Sequence, residues 1–263
     1  MLEINKSIGM FKTKEIWFAE YPFDIEGYDC VTFCACPNKL SMQGFAFTEF
    51  STLVIDLGQS LDSIWTNMHK DSCRYQIRRA IREGVKVRTN RDYDIFLQIH
   101  RSFVSKKGIR ATPVSSGFMQ RYGVLFVAEY DGEILGGQFH LKDEQHMRYQ
   151  IGGSLRLDSD PRKAKIIGLS NRLLMWEAIK YAKDHGVREF DFGGIWTGAK
   201  IETTLVSTNL FKESFGGKLT RQFFYKRYHS HLLRLSEFLY LKITEQVPWI
   251  SHVVCDSFAA LQV

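Results

Sequence analysis

The chain has little that punctuates or cross-links it. Only five prolines occur in 263 residues, at 22, 37, 113, 161 and 248, and no repeat, low-complexity tract or Gly/Ser linker marks a boundary. Any division into domains must therefore be read from element order. Five cysteines, at 30, 34, 36, 73 and 255, form no CxxC pair and meet no spaced histidine pair. That pattern excludes the usual tetrahedral zinc signatures and a paired disulfide framework, so no metal is expected. Free thiols in a reducing compartment are the simplest reading, with Cys30, Cys34 and Cys36 as small apolar residues of one strand; a nucleophile or metal among them is the competing one. No apolar run approaches the roughly 20 residues of a spanning helix, since the longest, 232–254, is broken by Arg234, Glu237, Lys242 and Glu245. The first 17 residues alternate Lys and Glu with apolar residues and hold no secretory apolar core, so the expected location is the cytoplasm.

What is present is ample material for a core: 44% of the residues are hydrophobic and 14% aromatic. Disorder is thereby excluded. Lys and Arg number 35 against 29 Asp and Glu, a net charge of +6 that suits an anionic partner without requiring one. The first part reads as short strands, Glu15 to Glu20, Val31 to Cys36 and Ala46 to Asp56. A helix follows, capped by Asp62 or Ser63, with Ile64, Met68, Ile77 and Ile81 at helical intervals and Gly84 as its stop. From residue 85 the order becomes strand, two helices, three antiparallel strands with a turn at Asp131-Gly132, a helix over Leu169 to Asp184, strand, short helix, strand. An antiparallel meander inside a βα alternation fits neither a doubly wound sheet nor a β-sandwich. The expected class is α/β (α+β), a mixed, largely antiparallel sheet flanked by helices.

Several residues carry candidate chemistry. Asp191-Phe192-Gly193-Gly194 follows a strand, and two glycines there let the backbone approach a ligand closely; a tight turn capped by Asp191 explains the same residues. Lys212, beside Phe211 and ahead of Phe215-Gly216-Gly217, reads as a partly desolvated ammonium able to hold a phosphate or a developing oxyanion, or as a snorkelling surface lysine. Lys70, Arg74, Arg78 and Arg82 fall four residues apart and form a cationic stripe on one helix face, suited to a polyanion or simply solvated. A second basic run, Lys218, Arg221, Lys226, Arg227 and Arg234, is interleaved with Phe223, Phe224, Tyr225 and Tyr228; strand alternation into a core accounts for it slightly better than base stacking. Tyr149 offers a hydroxyl just before Gly152-Gly153, either as a proton donor or as a core tyrosine. Lys165 to Ser170, with Gly168 and Ser170, is a degraded version of the loop that directs amides at a pyrophosphate from a helix start. No Ser-His-Asp or Cys-His set can be chosen, and attack by an amine on an activated ester needs none.

The element order resembles the GNAT N-acyltransferases, and three segments narrow the resemblance to the FemABX-like peptidyl transferases that use aminoacyl-tRNA. They are Trp65 with Arg74, Ile77, Arg78, Ala80 and Gly84; the helix and strand over 173–195 ending in Asp191-Phe192-Gly193-Gly194; and Leu210 to Gly217, similar to an FK-x-x-F-G-G box. The resemblance covers roughly residues 60–225 and implies transfer of an aminoacyl group from aminoacyl-tRNA to an acceptor amine, with no bound cofactor and with tRNA as partner. It implies Lys212 as a catalytic residue, beside which Tyr149 stands as a catalytic candidate on its hydroxyl alone. It also implies Phe211, Asp191, Gly193, Gly194, Arg74, Arg78, Gly168 and Ser170 as substrate contacts. The expected organisation is a shortened GNAT-like half over 1–88, a GNAT domain over 89–228 and a helical segment over 229–263 that packs back on the first half. That shortening leaves the acceptor open, as a small molecule or peptide amine, and peripheral membrane contact and oligomeric state also stay open. Two alternatives remain: an acyl-CoA-dependent N-acyltransferase acting on an amino sugar, lipid or small amine, and a non-catalytic module that binds RNA or an acidic partner.

Overall fold

The computed structural model describes residues 1–108, 114–195, 197 and 203–246, apart from the side chains of 203–205 and 240–246. Expectations resting on Pro113, Pro248, Cys255 and the end of the 232–254 stretch lie outside the described residues. In chain order the elements are β1 (Leu2–Ile8), β2 (Phe11–Trp17), β3 (Cys30–Cys36), β4 (Ala46–Asp56), α1 (Leu61–Asn67), a π-helical turn (Lys70–Arg74), α2 (Tyr75–Arg82), β5 (Lys86–Thr89), α3 (Tyr93–Lys106), α4 (Ser116–Tyr122), β6 (Gly123–Tyr130), β7 (Glu133–Lys142), β8 (His146–Ser154), a 3-10 turn (Leu155–Asp158), α5 (Pro161–Asp184), β9 (Glu189–Ile195), α6 (Thr203–Glu213), β10 (Lys218–Tyr228) and α7 (His231–Gln246). The fold class is the expected mixed α/β arrangement, mostly antiparallel and flanked by helices.

Two compact units divide the chain: Met1–Thr52 together with the chain from Thr220 onward, and Leu53–Leu219. The cut therefore falls at 52/53 and not at the expected 88/89. Burial is the reason: Leu53, Ile64, Ile77, Ala80 and Val85 belong to the same apolar cluster as Leu173, Leu174 and Ala178 of α5. The first unit orders its strands β1-β2-β3-β10-β4, with β2 and β3 parallel and its other assigned pairs antiparallel. Strand β1 was not anticipated, because its alternation of Lys and Glu with apolar residues reads as solvated chain until β2 pairs with it. Strand β10, whose register with β3 shifts between Phe223 and Tyr225, buries Phe223, Phe224 and Tyr225. Its cations pair with acids, Lys226 with Glu237, Arg227 with Asp24 and Arg221 with Glu49, so the second basic run serves this unit's core and its ion pairs.

The second unit orders its strands β4-β9-β8-β7-β6-β5. Asp131 and Gly132 both take positive φ, 52° and 80°, as a two-residue hairpin turn between β6 and β7 requires. One sheet face packs on α1, α2 and α5 through Phe126, Met147 and Phe190. The other receives α3 and α4: a Cβ at Gly153 would lie 2.7 Å from His100 Cα, and Phe118 meets Phe139 edge-on.

Two local expectations need correction. The helix read over 62–84 is interrupted. Ser60, not Asp62 or Ser63, caps α1; Met68 is extended, and the His69 side chain accepts the Ser72 amide to restart the turn. Ile81 consequently lies outside the core, 56% exposed. The helix expected from Leu169 starts at Pro161, where Asp160 accepts the amides of Arg162 and Lys163. Gly168 and Ser170 are thus interior helix residues whose amides take part in the helix ladder, and Ser170 Oγ donates to Ile167 O. The pyrophosphate-loop reading of Lys165 to Ser170 fails on that geometry.

A Cβ at Gly168 would meet nothing within 4 Å. Gly168→Ala is therefore expected to stabilise the fold by about 0.5–1 kcal/mol, and Gly153→Ala to destabilise it by about 1–3 kcal/mol through the α3 backbone. Thermal unfolding of the two variants checks the pair, and a loss on Gly168→Ala would contradict the helix placement.

Candidate active site

The second unit contains one interrupted ladder. Strands β8 and β9 run parallel and pair at only three positions, His146 with Glu189, Met147 with Phe190 and Arg148 with Asp191. Beyond Arg148, β8 stays with β7 up to Ser154, while β9 runs on to Ile195 without a further β8 partner among the described residues. Two parallel strands that part expose amides and carbonyls on facing edges, and such groups need a partner from a side chain, water or ligand.

Buried charge sits at the fork. Arg148 donates through Nη1 to Asp191 Oδ2, and both side chains are buried. The other carboxylate oxygen, Oδ1, accepts the Gly193 amide at 2.7 Å. That bond accompanies a left-handed Gly193, φ +76°, a conformation that costs a side-chain-bearing residue. A Cβ there would be tight only against Tyr149 O, at 3.3 Å, and in ordinary contact with Lys212 Nζ at 3.8 Å and Arg148 Nη2 at 3.9 Å, so the left-handed backbone is what calls for glycine. The next carbonyl, Gly194 O, accepts Lys212 Nζ at 2.6 Å. A chain of contacts thus runs from Arg148 through Asp191 and the two glycines to the ammonium.

Lys212 is brought in by α6, whose end is fixed from three sides. Ser214 O accepts the His69 amide, Phe215 is fully buried against Phe192, and Gly216, φ +77°, passes so close to Asn67 that a Cβ would sit 2.5 Å from its carbonyl oxygen. Lys212 itself is only 6% exposed. Burial, then the charge of Arg148, pulls its pKa down from 10.5 to about 8, against the opposing carboxylate of Asp191. An ammonium so placed has lost much of its hydration, which strengthens its action on a developing negative charge.

The structure places the remaining candidates as follows. Phe211 packs on Phe215, and the guanidinium of Arg172 lies 5.1 Å from its ring centroid. Asp191 is committed to Arg148 and Gly193, so it shapes the site through them. Tyr149 presents its carbonyl to Gly193, while its ring turns to the opposite face and meets His140 at 5.6 Å. Burial raises the phenol to about 12, so it keeps its proton. Arg78 lies over Trp65, which packs on Trp176, and Arg74 is half-buried on the π-helical turn. Gly168 and Ser170 lie inside α5, away from any helix start. Four cysteines, 30, 34, 36 and 73, are buried free thiols, and burial pushes Cys30, Cys36 and Cys73 up to about 11–12, away from nucleophilic behaviour. Sequence reasoning passed over Arg148, Arg172 and His140; strand and helix alternation make them ordinary, and only pairing shows Arg148 opposite Asp191.

These features coincide with a known fold. Residues 71–200 match the family described as acetyltransferase (GNAT) domain. The chain has a GNAT-type acyltransferase fold. Among solved structures it is similar to FemX, 13% identical over 85% of this chain and 83% of that one, with a TM-score of 0.60. It is similar as well to the C-terminal domain (DUF2156) of a protein assigned as a lysylphosphatidylglycerol synthetase of Agrobacterium fabrum, at 12% identity over 85% and 80% and a TM-score of 0.54. A third similarity is to L-PGS from Bacillus licheniformis, at 13% over 89% and 82%, TM-score 0.51. No curated relative matches significantly in sequence. At these identities the likeness concerns fold. Among the described residues no helix is long and apolar enough to cross a membrane.

Lys212 should titrate near pH 8, read by competitive acylation of its amine across a pH series. Asp191 favours the charged form, so Asp191→Asn should move that midpoint lower and, by leaving Arg148 buried without its carboxylate, destabilise the fold by about 3–5 kcal/mol. A midpoint near 10.5 in the native protein would contradict the buried placement.

Proposed function

We propose that the chain is an N-acyltransferase that moves an aminoacyl group from aminoacyl-tRNA to an acceptor amine and so forms an amide. The observation that carries this reading is Lys212, a buried ammonium held at the fork of β8 and β9 by Gly194 O. The fold likeness to FemX and the FK-x-x-F-G-G box around Lys212 support it.

The chemistry asked of the protein is modest. The acceptor amine attacks the ester carbonyl, a tetrahedral oxyanion forms, and the ribose oxygen leaves with the proton that the amine gives up. No enzyme nucleophile is needed, because proximity and orientation lower the barrier of a direct attack. Lys212 supplies the positive charge for the oxyanion. With a pKa of about 8 it is roughly nine-tenths protonated at pH 7. Tyr149, whose ring packs on His140 with its hydroxyl beside Gly152, contributes its backbone carbonyl to the wall of the cleft at Gly193. Aminoacyl-tRNA as donor places the reaction in the cytoplasm.

The acyl-CoA alternative rested on a helix start at Lys165 to Ser170, and α5 begins earlier, at a turn already capped by Asp160. A purely binding module would have no use for a tuned, buried ammonium.

Binding of aminoacylated tRNA, uncharged tRNA and an acyl-CoA over a salt series discriminates the readings, since phosphate contacts give a salt slope. Charged tRNA should bind in preference, and Lys212→Ala should keep that binding while transfer falls at least tenfold, about 1.4 kcal/mol of barrier. Saturable acyl-CoA binding without RNA binding would overturn the donor, and unchanged turnover in Lys212→Ala would remove the lysine from the mechanism.

A further inference from the structure

Two half-buried guanidiniums flank the buried Cys73 with no counter-ion among the described residues. Arg74, at the end of the π-helical turn, and Arg172, in the middle of α5, each have an Nε shut off from solvent with no hydrogen-bond partner. Neither side chain has an ion pair or hydrogen bond among the described residues. Both act on one buried group, the thiol of Cys73, which also hydrogen-bonds Ser214, two residues beyond Lys212. Arg172 further stacks over Phe211, the neighbour of Lys212. The turn after β8 adds a third cation, Arg156, whose charge reaches Arg172. The ionisable groups acting on Arg172 are Cys73 and Arg156, and neither is a carboxylate.

This is an unfavourable arrangement in the empty protein. Taking part of a charge out of water without pairing it is unfavourable. Guanidinium forks match phosphate oxygens two at a time, and phosphate would supply both the acceptors that the Nε groups lack and the negative charge that the cluster lacks. The stripe residues Lys70, Arg78 and Arg82 are exposed and therefore solvated already. The partly desolvated pair differs from them in needing a ligand to be satisfied.

We propose that Arg74 and Arg172 form a phosphate-binding site on the Phe211 side of Lys212 that holds the phosphate groups of the acyl donor while its acyl carbon lies at Lys212. The assignment rests on the transferase reading for its purpose but not for its test. The phosphates could come from the 3′-terminal phosphodiesters of tRNA or from the diphosphate of a coenzyme A donor, and the two share this chemistry.

The experiment follows thermal unfolding of the full chain at matched ionic strength, with inorganic pyrophosphate, a single-stranded RNA oligonucleotide ending in CCA, and coenzyme A as probes. A ligand that binds only the folded form raises Tm in a saturable way. Pyrophosphate should do so in the native protein and in Lys212→Ala, and its affinity should fall at least tenfold in Arg172→Gln and in Arg74→Gln. Without ligand, Arg172→Gln should unfold at the same temperature as the native chain or higher, because a half-buried charge with no counter-ion has gone. A role in packing alone predicts the opposite, so a lower Tm in both ligand-free variants would overturn the site. Pyrophosphate affinity unchanged within twofold in the variants, or no saturable shift with any probe, would overturn it as well. An arginine-dependent shift with the oligonucleotide supports the site together with the tRNA donor. The same shift with coenzyme A alone supports the site and overturns that donor.

Discussion

The parting of β8 from β9 after Arg148 and Asp191 is the constraint on which the candidate site depends. A sheet that gives up a ladder in mid-strand leaves polar backbone facing an opening, and the cheapest way to close it would be to continue pairing. Here the last pair of the ladder is also a buried ion pair. Such a pair adds little net stability compared with apolar residues of the same size, but losing one partner is costly. Its effect is on geometry: while Arg148 holds Asp191, the carboxylate draws the Gly193 amide inward and turns the next carbonyl toward Lys212. The lysine is thus positioned by backbone, and the backbone by a charge pair one strand away.

Glycine makes that geometry affordable in space as well as in φ. Gly193 takes a left-handed backbone and would set a Cβ tightly against Tyr149 O, and Gly216 passes Asn67 at a distance no Cβ tolerates. The two glycines lie on opposite sides of Lys212 in the chain, one in β9 and one just after α6. Both sides of the site therefore depend on close backbone approach, which interdigitated side chains would not permit.

Much of this was legible in the sequence, and the limits have physical causes. Period-two and helical apolar patterns gave most strands and helices, and Asp131-Gly132 gave the hairpin, because these signals are local. Lys212, Gly193 and Gly194 stood out through motif resemblance, and the aromatic neighbours of Lys212 pointed to partial desolvation, but nothing local said that Gly194 O would hold it or that Asp191 would be spent on Arg148. Those facts depend on a parallel strand pairing across more than 40 residues, between Arg148 and Asp191. The helix over 61–82 was read as continuous since Met68 and His69 carry no Gly or Pro, and its interruption rests on tertiary contacts, the His69 amide on Ser214 O above all. The start of α5 was missed for the reverse reason: Asp160-Pro161 is a strong local start, but the following Arg-Lys-Ala-Lys lacks an apolar stripe and reads as loop.

Cations are paired with acids in both units, in the first Lys6 with Glu15, Lys14 with Glu3, Lys226 with Glu237 and Arg227 with Asp24, and in the second Arg79 with Glu83, Arg88 with Glu129 and Lys163 with Glu133. Near the fork Arg148 follows that pattern with Asp191, but Lys212 holds a carbonyl, Arg78 lies over an indole and Arg172 over a phenyl ring. Neutral partners satisfy geometry without cancelling charge, so the positive potential there survives folding, and low-dielectric walls focus it. A substrate that brings several negative charges with it and an ester to be attacked would relieve both features at once. A neutral substrate would leave the half-buried guanidiniums unmatched. The same cations that make the empty site unfavourable would thus make it selective, since affinity is supplied where charge is unmatched and withheld where it is already paired.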